Sequence, residues 1–314
     1  MDVRADIERM DLPVIAAPMF LVSGPDLVLA ACREGIIGSF PTPNARDVDI
    51  LDDWFKTITD GFEDLKAQGI DPAPWAVNLV VHSTNNRLPE DLALVKKYQA
   101  PIVLTALGSP ARAVDEVHKY GGLVFADVNS VPLAKKAVDT GVDGLILLCA
   151  GAGGHTGSIC NFAFVDEVRE FWDGYVVVAG GISNGRAVRA CEVIGGDLAY
   201  VGTSFIPTEE SMAVQEHKDM VVSSDAKDLM VTKAFTGANA TMLVPSIEKM
   251  GLNPEDLVDK KAKMNFTGQK DMEVKPWKGI YTAGQGLAAS KQIEPIRDLV
   301  ARLRDEYKVS CAGQ

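Results

Sequence analysis

Gly144-Leu145-Ile146-Leu147-Leu148-Cys149-Ala150 runs directly into Gly151-Ala152-Gly153-Gly154-His155-Thr156-Gly157-Ser158. The first half is a short apolar run of the kind buried on both faces of a parallel sheet. The second half is a glycine-rich turn that holds one histidine. Glycines let a backbone approach a ligand closely and offer bare N–H groups. Histidine is the side chain most readily tuned to move protons near neutral pH. A strand end, a ligand-hugging turn and a proton carrier together mark a candidate active site. Taken alone, a tight turn with an incidental surface histidine reads the stretch equally well.

Working outward, the same kind of run recurs at 14–17, 36–40, 75–80, 102–107, 123–128, 176–180 and 198–202, which makes eight in all. Amphipathic segments lie between them at 25–34, 88–98, 110–120, 131–140 and 185–195. The first opens with Pro25, well placed in a first helical turn. Gly35, Gly121 and Gly141 follow such segments as C-caps. Strand–helix alternation with right-handed crossovers gives a parallel sheet. Eight units predict an α/β fold, the closed (β/α)8 TIM barrel, with an open doubly wound sheet as the runner-up.

The pattern breaks after the eighth run. Segment 206–275 is charged, rich in Lys, Asp, Glu and Met, and lacks strand periodicity. It is expected to be a helical lid or substrate subdomain over the barrel mouth, with 1–205 and 276–314 forming the barrel. Segment 286–307 places Leu287, Ile293, Ile296, Leu299, Val300 and Leu303 on one side and is expected to be the eighth barrel helix.

Composition narrows the function classes. The 314 residues are 47% hydrophobic and 24% charged, enough for one large domain with a full core. A formal net charge of −12 gains nothing from approaching nucleic acid or an anionic membrane. The opening Met1-Asp2-Val3-Arg4-Ala5-Asp6-Ile7-Glu8 is charged, so no signal peptide is expected. No apolar run reaches the roughly 18 residues of a membrane span. Five scattered cysteines without a CxxC pair read as free thiols in a reducing cytoplasm. His82, His118, His155 and His217 lack metal spacing, so no metal site is expected. Trp54, Trp75, Trp172 and Trp277 read as packing residues.

In a barrel the chemistry sits at the C-terminal ends of the strands. Those ends are Ala17-Pro18-Met19, Asn78, Thr105-Ala106, Asp127, Gly153-Gly154-His155, Ala179-Gly180-Gly181 and Gly202-Thr203-Ser204. Barrels often bind phosphate after strands seven and eight, at a helix N-terminus. Gly180, Gly181, Gly202 and Thr203 could supply backbone donors and one hydroxyl, or the glycines could simply make tight turns. A phosphate site on one side and small apolar residues on the other suit a flat ligand with a phosphate tail, and flavin mononucleotide (FMN) fits. Ala17-Pro18-Met19 would lie under its ring and Asn78 would bond to its heteroatoms. His82 and Tyr281 are further residues that could approach the pocket.

These residues carry a resemblance. The chain resembles the nitronate monooxygenase family, formerly called 2-nitropropane dioxygenase, an FMN barrel family that also includes an enoyl-acyl carrier protein reductase and NADH:quinone reductases. The resemblance runs through 13–19 with Val22-Ser23, then Val77-Asn78-Leu79, 152–157, 179–182, 201–205 and Ala283-Gly284-Gln285-Gly286. It implies that His155 is the catalytic base or orients the substrate. It implies that Gly180, Gly181, Gly202 and Thr203 hold the phosphate. It also implies that Gln285, with Met19 and Asn78, contacts the ring system. Asp127, Gly153, Gly154 and Ala179 complete the expected cofactor-contacting set.

Four positions depart from the family pattern. Gly151 stands where a glutamate is commonest, Asp127 where some members carry a lysine, and Ser204 where an arginine often follows. Ala238 follows Phe235-Thr236-Gly237 where the lid motif often has arginine. The last two remove positive charge near the site and weigh against tight binding of an anionic substrate. The implied reaction is oxidation of alkyl nitronates, or of nitroalkanes, by O2 to a carbonyl compound and nitrite, with a small-molecule substrate. The alternative is an NAD(P)H-dependent flavin reductase acting on a quinone or an enoyl thioester. A non-catalytic flavin- or phosphosugar-binding barrel would leave His155 without a purpose. A Schiff-base aldolase is disfavoured because no strand end presents a lysine. A homodimer is compatible with these expectations.

Overall fold

A computed structural model describes residues 2–258 and 279–312. Its strands are β1 (Val14–Ala16), β2 (Ile37–Pro41), β3 (Trp75–Val80), β4 (Ile102–Ala106), β5 (Leu123–Val128) and β6 (Gly144–Leu148). Then come β7, the two residues Gly154–His155, followed by β8 (Tyr175–Ala179) and β9 (Leu198–Val201). All but β7 pair in parallel in chain order, and β9 returns to β1 from Val14↔Ala199 to Ala16↔Val201, closing an eight-stranded barrel. Each of the eight apolar runs forms a strand, as expected. The fold is the (β/α)8 TIM barrel.

Side-chain alternation sorts each strand into two layers. Ile15, Ile37, Ala76, Ile102, Leu104, Phe125, Ile146, Val177 and Leu198 fill the barrel interior. Val14, Ala16, Val77, Val103, Val124, Leu145 and Val178 face the helices. Because both faces are buried, both sets are apolar, which is why the strands read as continuous runs.

The outer helices are α2 (Pro25–Arg33), α3 (Val48–Ala67), α4 (Leu88–Lys97), α5 (Ala111–Val117), α6 (Val131–Val138), α7 (Asn161–Arg169) and α8 (Gly185–Val193). Gly35, Gly121 and Gly141 each take a left-handed φ of about +80° where the chain leaves a helix, as expected of C-caps. Helix α1 (Val3–Glu8) lies beneath the barrel, where Val3 and Ile7 join the interior layer. Arg4 anchors it on Asp143 at 2.5 Å, and His118 Nε2 meets the same carboxylate at 2.8 Å.

Two expectations are corrected. The last helix, α11, spans Ile296–Ala312 rather than starting near 286. Gln285–Ala289 is a separate 3-10 turn, and Ile293 is exposed rather than on an apolar face. Pro295 supplies the reason, since proline suits the first turn of a helix and not its interior.

The insertion is not wholly helical either. It contains α9 (Gln215–Ser223), β10 (Leu229–Thr232), β11 (Ala240–Leu243) and α10 (Val244–Lys249). β10 and β11 form an antiparallel pair, and β11 pairs with β7, Ala240 opposite His155 and Thr241 opposite Gly154. Two small clusters hold it together, one around Val22, Ile206, Val221, Leu243 and Leu287, the other around Met242, Ile247 and Ile280. The expected boundary at 275/276 and Trp277 lie outside the described residues.

Cys32, Cys149 and Cys191 are buried free thiols and Cys160 is an exposed one. Trp54 and Trp75 pack edge-on or tilted against Phe40 and Phe55, as expected. No described helix is long and apolar enough to cross a membrane.

Candidate active site

The C-terminal ends of the barrel strands enclose a cavity of about 490 Å³, within the usual range for ligand sites. Ala17, Pro18, Met19, Asn78, Asp127, Gly153, Gly154, His155, Ala179, Gly180, Gly181, Gly202 and Thr203 all line it. Gln285 does not. It is exposed, its N–H donates to the Gly151 carbonyl at 2.9 Å, and its Oε1 lies where a β-carbon on Gly151 would come within 2.8 Å. Gly151 also has a φ of +91°, so both backbone and space disfavour the family's glutamate there.

Each wall is held by identifiable bonds. The turn after β1 is bracketed by Asn44, whose Nδ2 donates to the Met19 and Ser23 carbonyls while its Oδ1 accepts from Leu21 N–H. Ser23 Oγ accepts from Met19 N–H at 3.0 Å. Asn78 is fixed by donation from Nδ2 to the Leu104 carbonyl at 3.1 Å.

The histidine turn is clamped on two sides. β11 pairs with it, and Thr241 Oγ1 donates to the Ala152 carbonyl at 2.7 Å. On the other side Gly153 and Gly284 pass so closely that a β-carbon on either would come within 2.7 Å of the other's amide nitrogen. His155 Nδ1 and Nε2 make no hydrogen bond among the described residues, and burial lowers the imidazole's proton affinity below its ordinary value. The ring is therefore neutral near pH 7 and able to accept a proton.

The β8 and β9 ends form the opposite wall. A β-carbon on Gly181 would meet nothing within 4 Å, so the missing side chain leaves backbone open to the cavity. Helix α8 starts just beyond, its N-cap Asn184 accepting from Ala187 N–H. Thr203 Oγ1 accepts from Gly284 N–H at 2.8 Å, which leaves its own proton to donate. A bare-backbone cradle near a helix N-terminus suits a phosphate, and buried polar atoms at the floor with no partner among the described residues, Asp127 Oδ1 and Tyr200 Oη, suit a polar ring system. The residues present fit FMN.

Several lining residues were not anticipated: Phe20, Arg46, Asn85, Arg87, Asp91, Leu107 and Tyr200. Arg87 is tied down by Asp91 at 2.8 Å and by the Ala45 and Thr42 carbonyls. Arg46 stacks its guanidinium over Phe20, 5.7 Å from the ring centre. Positive charge thus reaches the site from the loop after β2 rather than from positions 204 and 238. Ser204 is buried with no partner for its hydroxyl among the described residues. Of the two further candidates, His82 bonds Thr84 and Tyr281 stacks on His217; neither lines the cavity. Tyr200 was readable in principle, since it is inward-facing two residues after Leu198. Arg46 and Phe20 lie on loops that no periodicity governs.

Comparison with known proteins adds a family. The matching family model is that of nitronate monooxygenase, over residues 2–306. A nitronate monooxygenase from Paraburkholderia phytofirmans is 24% identical over 96% of this chain and 93% of its own. A (3aS,4S,5R,7aS)-5-hydroxy-7a-methyl-1-oxo-octahydro-1H-indene-4-carboxyl-CoA dehydrogenase from Rhodococcus jostii is 25% identical over 88% of this chain and 76% of its own. Among solved structures, nitroalkane oxidase from Streptomyces ansochromogenes gives a TM-score of 0.82 at 22% identity, covering 99% of this chain and 100% of that one. FabK from Thermotoga maritima gives 0.78 at 22%, covering 99% and 97%. The two structural likenesses show the shared barrel.

Proposed function

The chain belongs to the nitronate monooxygenase family and is an oxidoreductase, and from that premise we propose that it binds FMN and oxidises alkyl nitronates, or the parent nitroalkanes, to a carbonyl compound and nitrite with O2 as co-substrate. The observation that carries this reading is His155, its proton affinity lowered by burial and its ring without a hydrogen-bond partner among the described residues, on a clamped turn that lines the same cavity as the glycine wall.

Gly180, Gly181, Gly202 and Thr203 hold the phosphate through backbone N–H groups and one hydroxyl, with the positive end of α8 behind them. Ala17, Pro18 and Met19 supply the apolar surface for the ring system. FMN, when bound, supplies the electron-accepting chemistry that side chains lack. His155 takes the α-carbon proton of a neutral nitroalkane or hydrogen-bonds the nitro oxygens of a nitronate. A base that is unprotonated at working pH suits the first task. Ile206 at the start of the insertion and Thr282, Ala283 and Gly286 just after it reach the cavity wall, where the insertion acts as a lid that limits water.

A second reading uses the same barrel. Arg46 at the cavity edge suits an anionic nicotinamide dinucleotide or acyl thioester, as an NAD(P)H-dependent flavin reductase would require.

Anaerobic mixing separates the two. FMN-loaded protein is combined with propionate 3-nitronate, NADH or NADPH while the visible flavin band is followed. A rapid spectral change with the nitronate and none with either nucleotide is expected. Bleaching by NADH or NADPH alone would move the protein to the reductase class. Failure of the pure protein to take up FMN would overturn the cofactor itself. His155→Ala is expected to keep FMN binding and lower nitroalkane turnover about 10²–10⁴-fold; unchanged turnover would remove the role given to His155.

A further inference from the structure

The cavity floor holds two polar groups that suit a polar ring system but have no chemical task in the reading above. Asp127 follows Phe125 by two residues on β5, and Tyr200 follows Leu198 by two on β9, so both continue the inward-facing layer of the barrel. Both line the cavity. Asp127 Oδ1 and Tyr200 Oη are each buried without a hydrogen-bond partner among the described residues. Orphaned buried polar atoms are few in folded proteins and call for a reason. Two on one cavity floor point to a ligand that supplies their partners.

The surroundings govern the proton affinity of Asp127. Around the floor, β3 brings Asn78, whose amide is held by the Leu104 carbonyl, and β4 brings Ala106 and Leu107. Leu148 comes from β6 and Ala179 from β8, both apolar. Tyr200 from β9 is the titratable group that senses it, its phenol pushed up by burial and by the Asp127 charge. The other titratable or charged groups lining the cavity are His155, Arg46, Arg87 and Asp91, and Arg87 is held by Asp91 and two carbonyls. None of them offsets burial at Asp127, whose carboxyl is pushed up to about 7 by desolvation alone.

We propose that Asp127, in its protonated form and together with Tyr200, hydrogen-bonds the ring system of bound FMN, so that the pair sets how readily the ring accepts negative charge. This rests on the FMN reading above. A neutral acid and a phenol stabilise charge arriving on an acceptor edge beside them. A carboxylate in the same place opposes it, because in a dry site like charges interact strongly. Loss of the Asp127 proton therefore lowers the reduction potential of the bound ring as pH rises through neutrality.

The test starts with FMN titration of wild-type protein, followed by fluorescence quenching, and continues with the midpoint potential from about pH 5 to about pH 9, on both sides of the shifted range. Asp127→Asn is expected to match wild type near the acid limit, to lie above it near the alkaline limit, and to show the shallower pH slope. Tyr200→Phe is expected to weaken FMN binding severalfold and leave the slope unchanged. Should Asp127→Asn fail to fold, Asp127→Ser removes the same charge and carries the same expectation. Coincident potentials for wild type and variant at every pH would overturn the proposal and leave the cofactor assignment standing. No FMN uptake by the wild-type protein would overturn both. A merely structural role for Asp127 would lower stability without separating the two pH profiles.

Discussion

β2 and β3 are buried at every residue, whereas β10 in the insertion is buried only at Thr232 and pairs with β11, whose other partner, β7, is two residues long. The barrel rests on two large cores, one on each side of its strands; the insertion rests on two small clusters and a short sheet. Yet the weaker region holds His155 in place. Global stability and the geometry of the proposed base are therefore assigned to different parts of one chain, and each can be perturbed without the other.

The strongest perturbation is in the barrel. Phe125 is fully buried in the interior layer, and Phe125→Ala is expected to cost about 3–5 kcal/mol of unfolding free energy in denaturant. Turnover per folded molecule should hardly change. A loss of turnover larger than the loss of stability would break the division.

Acid comes next and should act on the insertion. His217 stacks on Tyr281 and meets the Thr282 carbonyl, and burial lowers its pKa from 6.5 to about 4. The unfolded chain takes up that proton first, so stability is fully present above pH 6.5 and is lost as pH falls towards 4. At 1.36 kcal/mol per pKa unit the loss approaches about 3 kcal/mol, and His155, lowered in the same direction, adds to it. Hydrogen exchange should show 229–243 losing protection before β2–β6. Asp127 works in the opposite sense: its contribution is present below pH 3.8 and is lost as pH rises towards 7. Barrel amides opening first in acid would reverse the comparison.

The smallest effect sharpens it most. Thr241→Val removes the hydroxyl bonded to the Ala152 carbonyl and should cost about 1 kcal/mol of stability. Because that bond clamps the histidine turn, turnover should fall by more than this loss of stability implies. An unchanged kcat would mean that β11 does not position His155.

The barrel was readable because burial on both faces leaves little but apolar residues in each strand, and strand ends are where barrels place their chemistry. Helix α3 was equally readable and was not among the expected helices. Its buried Leu51, Phe55, Ile58 and Leu65 keep helical spacing, while Gly61 and a run of acidic residues mask them. β7 was not readable at all. Gly154 has little tendency to extend, and only the tertiary partner β11 makes it a strand. At the site, the strand-end residues read from the sequence line one cavity, and Tyr200, placed there by the same alternation, was not among those expected. Gln285 was misplaced because it was carried over by motif rather than by position on an element, and Arg46 arrives on a loop.

Val3 and Ile7 of α1 close the barrel from below, beneath a packed interior layer, so the cavity opens upward from a sealed base. A blind well imposes an order of loading. Whatever rests against Asp127 and Tyr200 enters first and leaves last, and a second molecule held at the Phe20–Arg46 rim detains it. The lifetime of the deep ligand on the protein is then governed by traffic of the shallow one, and a slowly departing product would guard the cofactor against dilution.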